Sequence, residues 1–456
     1  MGRRITTLLT MAALLTACVS VSAQSFSGGS GTQFDPYLIS NADDLDALNE
    51  ATNNEFENMT EGRYYQLTAD ITTPYTGMIG TEGVFHGNFD GNGHCITLDI
   101  ERYESYVGLF GTTSRATIRN LQVDGSVFAQ HYVGAIVGNP SNGTLIENCI
   151  NYASVTGSTR VGGIAGGIVS VSQGGNVGAT VRNCVNCGTV SGKDIVGGVI
   201  GYSGQQVGNS LCRLVNYGHV DAPVRSGDER LGGVIGNPLF DDVVVALLNF
   251  GTTSNRTVAG CMGNANPESQ SLLFYDCQMS PSDYVFPTQE VLTREILGIA
   301  LEQYADAEDM SSTYWRYEDN MLPRLKMDGL ELTDRAILYA TPVVLDDNDQ
   351  IDNISHHFKV GTENGVSWAS QNGRVVFSSD GTASIVSDGD DIITARLGNC
   401  ERQIAVSINN SATAIESASH VENVQQHCYT LSGMRIDGKK ALPKGIYIVN
   451  GRKIVR

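Results

Sequence analysis

Short apolar runs of four to six residues, broken by glycine, recur through the middle of this chain. One phrase returns six times, from Val107-Gly108-Leu109-Phe110-Gly111 through Val133–Gly138, Val161–Gly166, Val196–Gly201 and Leu231–Gly236 to a degraded Val258-Ala259-Gly260-Cys261-Met262-Gly263. The second residues of successive copies lie 26, 28, 35, 35 and 27 positions apart. A second phrase follows most copies: Ile118-Arg119-Asn120-Leu121, Ile146-Glu147-Asn148-Cys149-Ile150-Asn151-Tyr152, Val181–Cys187, Leu214–Tyr217 and Leu247–Phe250. It often closes on a Gly-x-Val such as Gly188-Thr189-Val190. The unit is a short strand, a variable loop, a second strand and a glycine turn, with no stretch of helical period between them. One such unit cannot bury its apolar side. Units stacked at the strand spacing of ~4.8 Å can, which predicts a parallel β-helix over residues 105–278. The glycines are expected to turn the corners at φ > 0. Asn151, Asn186, Asn216 and Asn249 are expected to form a turn ladder, each amide bonding backbone of the neighbouring coil. The loops should project from one side.

The flanks read differently. Residues 24–104 supply an N-terminal cap and the first coils, with a helix over Asn41–Ala51 and Asp43 and Asp44 in its first turn. Residues 279–330 form a capping segment. Within it 288–303 is helix-like, with Thr288 as cap, Glu290 and Glu295 early, and apolar Val291, Leu292, Ile296 and Leu297; Trp315 and Leu322–Leu325 follow. Residues 331–410 alternate as strands at Val343–Leu345, Phe358–Val360, Val366–Trp368, Val375–Phe377, Ile392–Ala395 and Ile404–Val406. Turns such as Asn372-Gly373 and Asp380-Gly381 separate them. They look like a small bacterial Ig-like β-sandwich. Ser411–Ser419 is a linker into a tail over 411–456. The fold class is therefore all-β: a solenoid with helical caps, an Ig-like sandwich and a C-terminal β-hairpin tail.

Composition and charge narrow the classes. Glycine is frequent, 52 of 456 residues, and only 17 % are charged, which excludes a coiled coil and a disordered polyampholyte. The net charge of −20 argues against a nucleic-acid partner, which usually needs a basic face. It is unevenly spread. Residues 24–104 carry 2 basic and 14 acidic side chains, 105–278 carry 9 and 10, 279–410 carry 9 and 22, and 411–456 carry 7 and 3. Residues 1–23 read as a signal peptide: Arg3 and Arg4, an apolar core over Leu8–Leu15, and a small-x-small site at Val21-Ser22-Ala23. Leu15-Thr16-Ala17-Cys18 offers a competing lipobox, which would anchor the chain at Cys18. Nothing else approaches the ~18 apolar residues of a membrane span, so none is expected in the mature chain.

The repeat phrases resemble the GLUG-motif repeat proteins of anaerobic Gram-negative bacteria. Gly31-Thr32-Gln33-Phe34-Asp35-Pro36-Tyr37-Leu38-Ile39 is similar to that family's opening, and Phe85–His94 resembles the turn that begins many β-helices. The resemblance implies that residues 279–330 close the open end of the solenoid. Tyr429–Ile436, Leu442–Val449 and Arg452–Arg456, with turns at Pro443-Lys444-Gly445 and Asn450-Gly451, look like a type IX secretion sorting domain. That likeness implies contact with secretion machinery through the tail.

Candidate chemistry is sparse. Pectin hydrolases of this fold carry an Asp-Asp, a Gly-His-Gly and an Arg-x-Lys; here Asp241-Asp242 stands alone. Lys193 is the lone lysine of the repeats, and His94, His131 and His219 are scattered in what read as solvated turns. Asp90 and His94 share a glycine turn and are weighed as a catalytic pair. Cys184-Val185-Asn186-Cys187 is weighed as a redox or metal pair against small half-buried side chains; nine cysteines remain without Cys18, an odd number for a disulfide framework. Asp346–Asp349 is weighed for calcium but lacks a loop glycine and a distal Glu. Trp368 is read as core, with glycan stacking as the alternative. No residue is assigned a catalytic, cofactor-binding or metal role, and no cofactor is expected. The leading expectation is an exported, non-catalytic surface protein displaying loops to an extracellular glycan or host surface protein. The alternative is a polysaccharide lyase or glycoside hydrolase of the β-helix class.

Overall fold

A computed structural model describes residues 26–54, 59–170, 177–204, 208–223, 230–254 and 257–263. Beyond them it describes residues 267, 269–276, 280, 282, 289–292, 306–316, 324–327, 329–330, 339–340, 343–346, 358–359, 367–377, 383–397, 400–409, 428–430, 435–436, 446–449 and 452–455. The signal segment, the linker and Asp347–Asp349 lie outside the described residues.

The repeats fold as a solenoid of parallel strands on three faces. The first face stacks Ser105–Val107, His131–Gly134, Thr159–Gly162, Asp194–Gly197 and Leu231–Gly232. The second stacks six strands from Ile79–Phe85 to Ile235–Asn237. The third runs from Tyr37–Ile39 through the seven-residue strands Leu145–Asn151, Thr180–Asn186, Ser210–Asn216 and Val243–Asn249 to Ser269–Asp276. Copies of each phrase lie in register, so that Val133, Val161, Val196 and Leu231 form one column and Gly134, Gly162, Gly197 and Gly232 the next. The interior is a continuous apolar column that includes Ile118, Ile146, Val181, Leu211 and Val244, each fully buried.

The corners match the expectation only in part. Gly143, with Asn142, turns the corner between the second and third faces at positive φ, and Gly125 is also at positive φ, but the repeat glycines 134, 162, 197 and 232 are not. Along the faces the other left-handed positions include Tyr106, Tyr132, Arg160 and Ile195 on the first, and Asn120, Asn148, Asn183, Arg213, Ala246 and Leu272 on the third, with φ between 52° and 65°. Asparagine tolerates this region better than most residues, and Asn120, Asn148 and Asn183 take it in successive coils. The repeat glycines answer to crowding instead. A β-carbon on Gly134 would lie 2.5 Å from the Val137 carbonyl oxygen and 2.7 Å from the Gly166 nitrogen.

The asparagine column also forms, with different partners. Asn151, Asn186 and Asn216 each donate from Nδ2 to the Oδ1 of the next amide, at 2.8, 2.8 and 2.9 Å. Backbone partners come from the same coil: Asn151 accepts from the Ala153 N–H and donates to the Ala153 carbonyl. Asn249 ends the run on the Gly260 carbonyl and the Ser280 hydroxyl. Gly163, Gly198 and Gly233 leave room for these amides, because a β-carbon at each would collide with the asparagine of its own coil.

Helix α1, Ala42–Thr52, covers the N-terminal end, with Leu45 and Leu48 buried against the first coils. Asn41 caps it by accepting from the Asp44 N–H at 3.1 Å. At the other end the expected helix over 288–303 is not seen where the chain is described. Gln289–Leu292 is a strand that adds one parallel rung beside Leu273–Asp276, and residues 293–305 lie outside the described set. The described residues from 306 onward lie along a flank of the solenoid, while Gln289–Leu292 extends its end. Met310, Trp315, Leu325, Met327 and Leu330 cover an outward apolar stripe of Ile150, Val185, Val215, Leu248 and Phe274. Asp309 pairs with Arg213, whose guanidinium also lies over the Tyr314 ring. Gly329 reaches back to Gly93, several rungs away.

Each of the six later runs contains a strand. Gly389–Leu397 and Cys400–Asn409 form an antiparallel pair flanked by Ser367–Ser370 and Val343–Asp346, and Val375–Phe377 pairs with Ala383–Ile385. In the tail, Cys428–Thr430 pairs with Arg435–Ile436 and Ile446–Val449, and Val449 faces Arg452 in the following strand.

Candidate functional site

Left-handed residues at Asn120, Asn148, Asn183, Arg213, Ala246 and Leu272 bend the third face into two facets. Beyond the bend, a strap formed by the described residues 306–316, 324–327, 329 and 330 covers the outward side chains. Before it, the outward side chains line an open groove of about 330 Å³. Two columns form its floor. Tyr64, Asn88, Thr117 and Leu145 stack in one, and Gln66, Asp90, Arg119 and Glu147 in the other. Arg182 continues the second column. Gln33 and Pro36, from the turn before the first strand, form a wall.

Charge alternates along the second column and is paired across rungs. Arg119 Nη2 lies 2.9 Å from Asp90 Oδ2, and its Nε donates to the same oxygen at 3.0 Å. Arg182 donates to Glu147 Oε2 from Nε at 2.9 Å and from Nη2 at 2.6 Å. Asp90 Oδ1 further accepts from the Asn120 amide and the Asn92 N–H. Stacked like charges one strand spacing apart would repel, and alternation removes that cost.

The other sequence candidates are placed apart. Asp90 and His94 do not form a pair; Asp90 holds Arg119, while His94 Nδ1 lies 3.0 Å from Asp70. His131 and His219 lie on strands, not in solvated turns, and His219 Nδ1 meets Thr252 Oγ1 at 2.7 Å. Asp242 is fully buried, accepting from the Asn209 N–H and amide and from the Leu239 N–H. It pins a turn. Asp241 and Lys193 are exposed. Trp368 is half-buried and stacks on Phe377 at 5.7 Å. Among the described residues no group of three or more His, Cys, Asp or Glu is placed to hold a metal, and no helix is long and apolar enough to cross a membrane.

Cys184 and Cys187 belong to opposite sides of the wall. Cys184 packs in the interior column, Cys187 under the strap. Burial pushes the Cys184 thiol well up, and also raises Cys261 and the half-buried Cys212. Iodoacetamide treatment of the native protein, mapped by peptide mass spectrometry, is therefore expected to spare Cys149, Cys184, Cys187 and Cys261. Cys95 should react and Cys212 lag behind it. Fast native labelling of Cys184 would contradict its interior placement.

No protein-family model matches the chain. It is 35 % identical over 158 residues to a halomucin of Haloquadratum walsbyi, covering 30 % of this chain and 2 % of the halomucin. It is 37 % identical over 139 residues to a candidate Gly-rich membrane protein of Evansella cellulosilytica, covering 27 % and 15 %. The solved structure of a candidate immunoglobulin A1 protease from Bacteroides ovatus aligns over 66 % of this chain and 95 % of that one, at 19 % identity and a TM-score of 0.40, too low to carry an argument. The chain thus spans only a small part of the length of either sequence relative.

Proposed function

We propose that this chain is an exported, non-catalytic surface protein whose solenoid carries a binding groove for an extracellular glycan. The observation that carries the reading is the groove floor: a half-buried Tyr64, amides and hydroxyls of Gln66, Asn88 and Thr117, and charges already paired with one another. Polar groups fixed on strands and set beside an aromatic face suit a ligand that offers both hydroxyls and C–H surface. Both carboxylates of the groove are engaged by arginine, so neither stands free as the facing acid and base that glycosidic cleavage needs. The signal-like residues 1–23 and the likeness to stretches of a halomucin and a candidate membrane protein support a surface location. In the same reading Cys18 is the alternative anchor, residues 331–410 are an Ig-like spacer and residues 411–456 a type IX-like sorting tail.

The test is a glycan and mucin array probed with the full chain, run beside depolymerisation assays on polygalacturonate, alginate and heparin. Binding without chain shortening is expected. Shortening that disappears in Asp90→Asn or Glu147→Gln would establish the enzyme reading instead.

A further inference from the structure

We infer that the glycan of this groove is a neutral polysaccharide, gripped by aromatic and amide contacts and not by charge; the inference rests on the glycan reading above. The second column holds two acids and two bases in strict alternation, Asp90, Arg119, Glu147 and Arg182. Its charge cancels over about three strand spacings, ~14 Å. Each guanidinium uses Nε and Nη2 on its carboxylate, so the remaining N–H donors of each fork are available to ligand hydroxyls. The wall and the first rungs come from residues 24–104, where 14 acidic side chains face 2 basic ones. The net negative charge of this segment opposes the approach of an anionic polymer and leaves a neutral one unaffected.

Two aromatic side chains are at hand for a sugar ring. Tyr64 belongs to the groove floor, and Phe34, 96 % exposed, stands on the turn that supplies the wall residues Gln33 and Pro36 without itself lining the groove. A tight turn holds it out, with Thr32 and Asp35 exchanging N–H···O=C bonds at 3.1 and 3.2 Å. Tyr64 heads the first floor column, beside Asn88. An extended peptide fits less well. The floor strands are paired on both sides within one sheet, so they offer no open edge for strand addition.

The experiment compares neutral polysaccharides (β-glucan, xylan, mannan, galactan) with anionic ones (polygalacturonate, heparin, sialylated mucin). It uses the full chain at about 0.05 M and about 0.5 M NaCl, a range over which screening changes severalfold. The expected result is binding to at least one neutral polymer, changed less than about twofold by salt. Phe34→Ala and Tyr64→Ala should weaken it roughly tenfold or more, the loss typical of a central aromatic anchor. Tyr103→Ala, which removes an exposed aromatic outside the groove, should leave it unchanged. Phe34 has almost no packing to lose, so its variant stays folded and keeps the test decisive. Salt-sensitive binding of anionic polymers alone, or capture of a peptide, lost in Phe34→Ala, overturns the neutral-ligand assignment and leaves the groove standing. No glycan bound, or binding indifferent to both groove variants, overturns the groove itself.

Discussion

Replacing Gly232 with valine is expected to destabilise the solenoid by about 3 kcal/mol or more, at the upper end of the range for overpacking. A β-carbon there would strike the Ile235 carbonyl oxygen and lie 2.7 Å from the Gly263 nitrogen and 2.9 Å from the Cys261 carbonyl oxygen. Every neighbour is backbone of its own or the next coil, so no side chain can swing aside. Gly197→Val meets Ile200 and Gly236 in the same way and should cost as much. Gly373 serves as a control, since a β-carbon there meets nothing within 4 Å. Gly373→Ala carries only the left-handed strain of its φ of +67°, about 1–2 kcal/mol. Urea unfolding followed by far-ultraviolet circular dichroism ranks the three. Equal midpoints for Gly232→Val and wild type would mean that the phrase copies do not meet at their backbones.

These glycines were legible because a repeat spacing fixes register: once coils stack, the second residue of each phrase must form a column, and Gly134, Gly162, Gly197 and Gly232 do. What their small size is for was not legible. Glycine permits both positive φ and close approach, and only coordinates separate the two. Left-handed residues inside the first-face strands fall on Tyr132, Arg160 and Ile195, residues with no local preference for that conformation, so the stacking of the coils imposes it. The asparagine column was visible as well, but an amide both donates and accepts. Identical amides one strand spacing apart satisfy one another, and spacing alone does not separate that pairing from bonds to backbone. In the groove, the signal stood in the phrases Ile118-Arg119-Asn120, Ile146-Glu147-Asn148 and Val181-Arg182-Asn183, whose middle residues alternate in sign. Read along the chain they are 28 and 35 residues apart; only register makes them neighbours. The apolar pair Val291 and Leu292 suited helix and strand equally. The unpaired edge of the last long rung, Ser269–Asp276, decided for strand.

The strap gives the second large effect. Trp315 is fully buried on the solenoid flank, and its indole N–H donates to the Asp309 carbonyl at 2.7 Å. Truncating a buried tryptophan to alanine costs about 3–5 kcal/mol. That loss falls on the docking of the strap, because the coils carry their own core in the separate interior column. Trp315→Ala should therefore detach residues 306–316, 324–327, 329 and 330 while the repeats keep their strands. Hydrogen exchange resolves the two: amides of Trp315 and Lys326 should lose protection, and those of Val185 and Val215 should keep it. Release would uncover Tyr217 and Phe250, now fully buried, along with Ile150, Val185 and Leu248. An exposed apolar stripe of this kind promotes association, so the variant should bind a hydrophobic dye and self-associate as concentration rises. Loss of protection across the coils at the same rate as the strap would show that strap and solenoid unfold as one unit, and that the flank is part of the core.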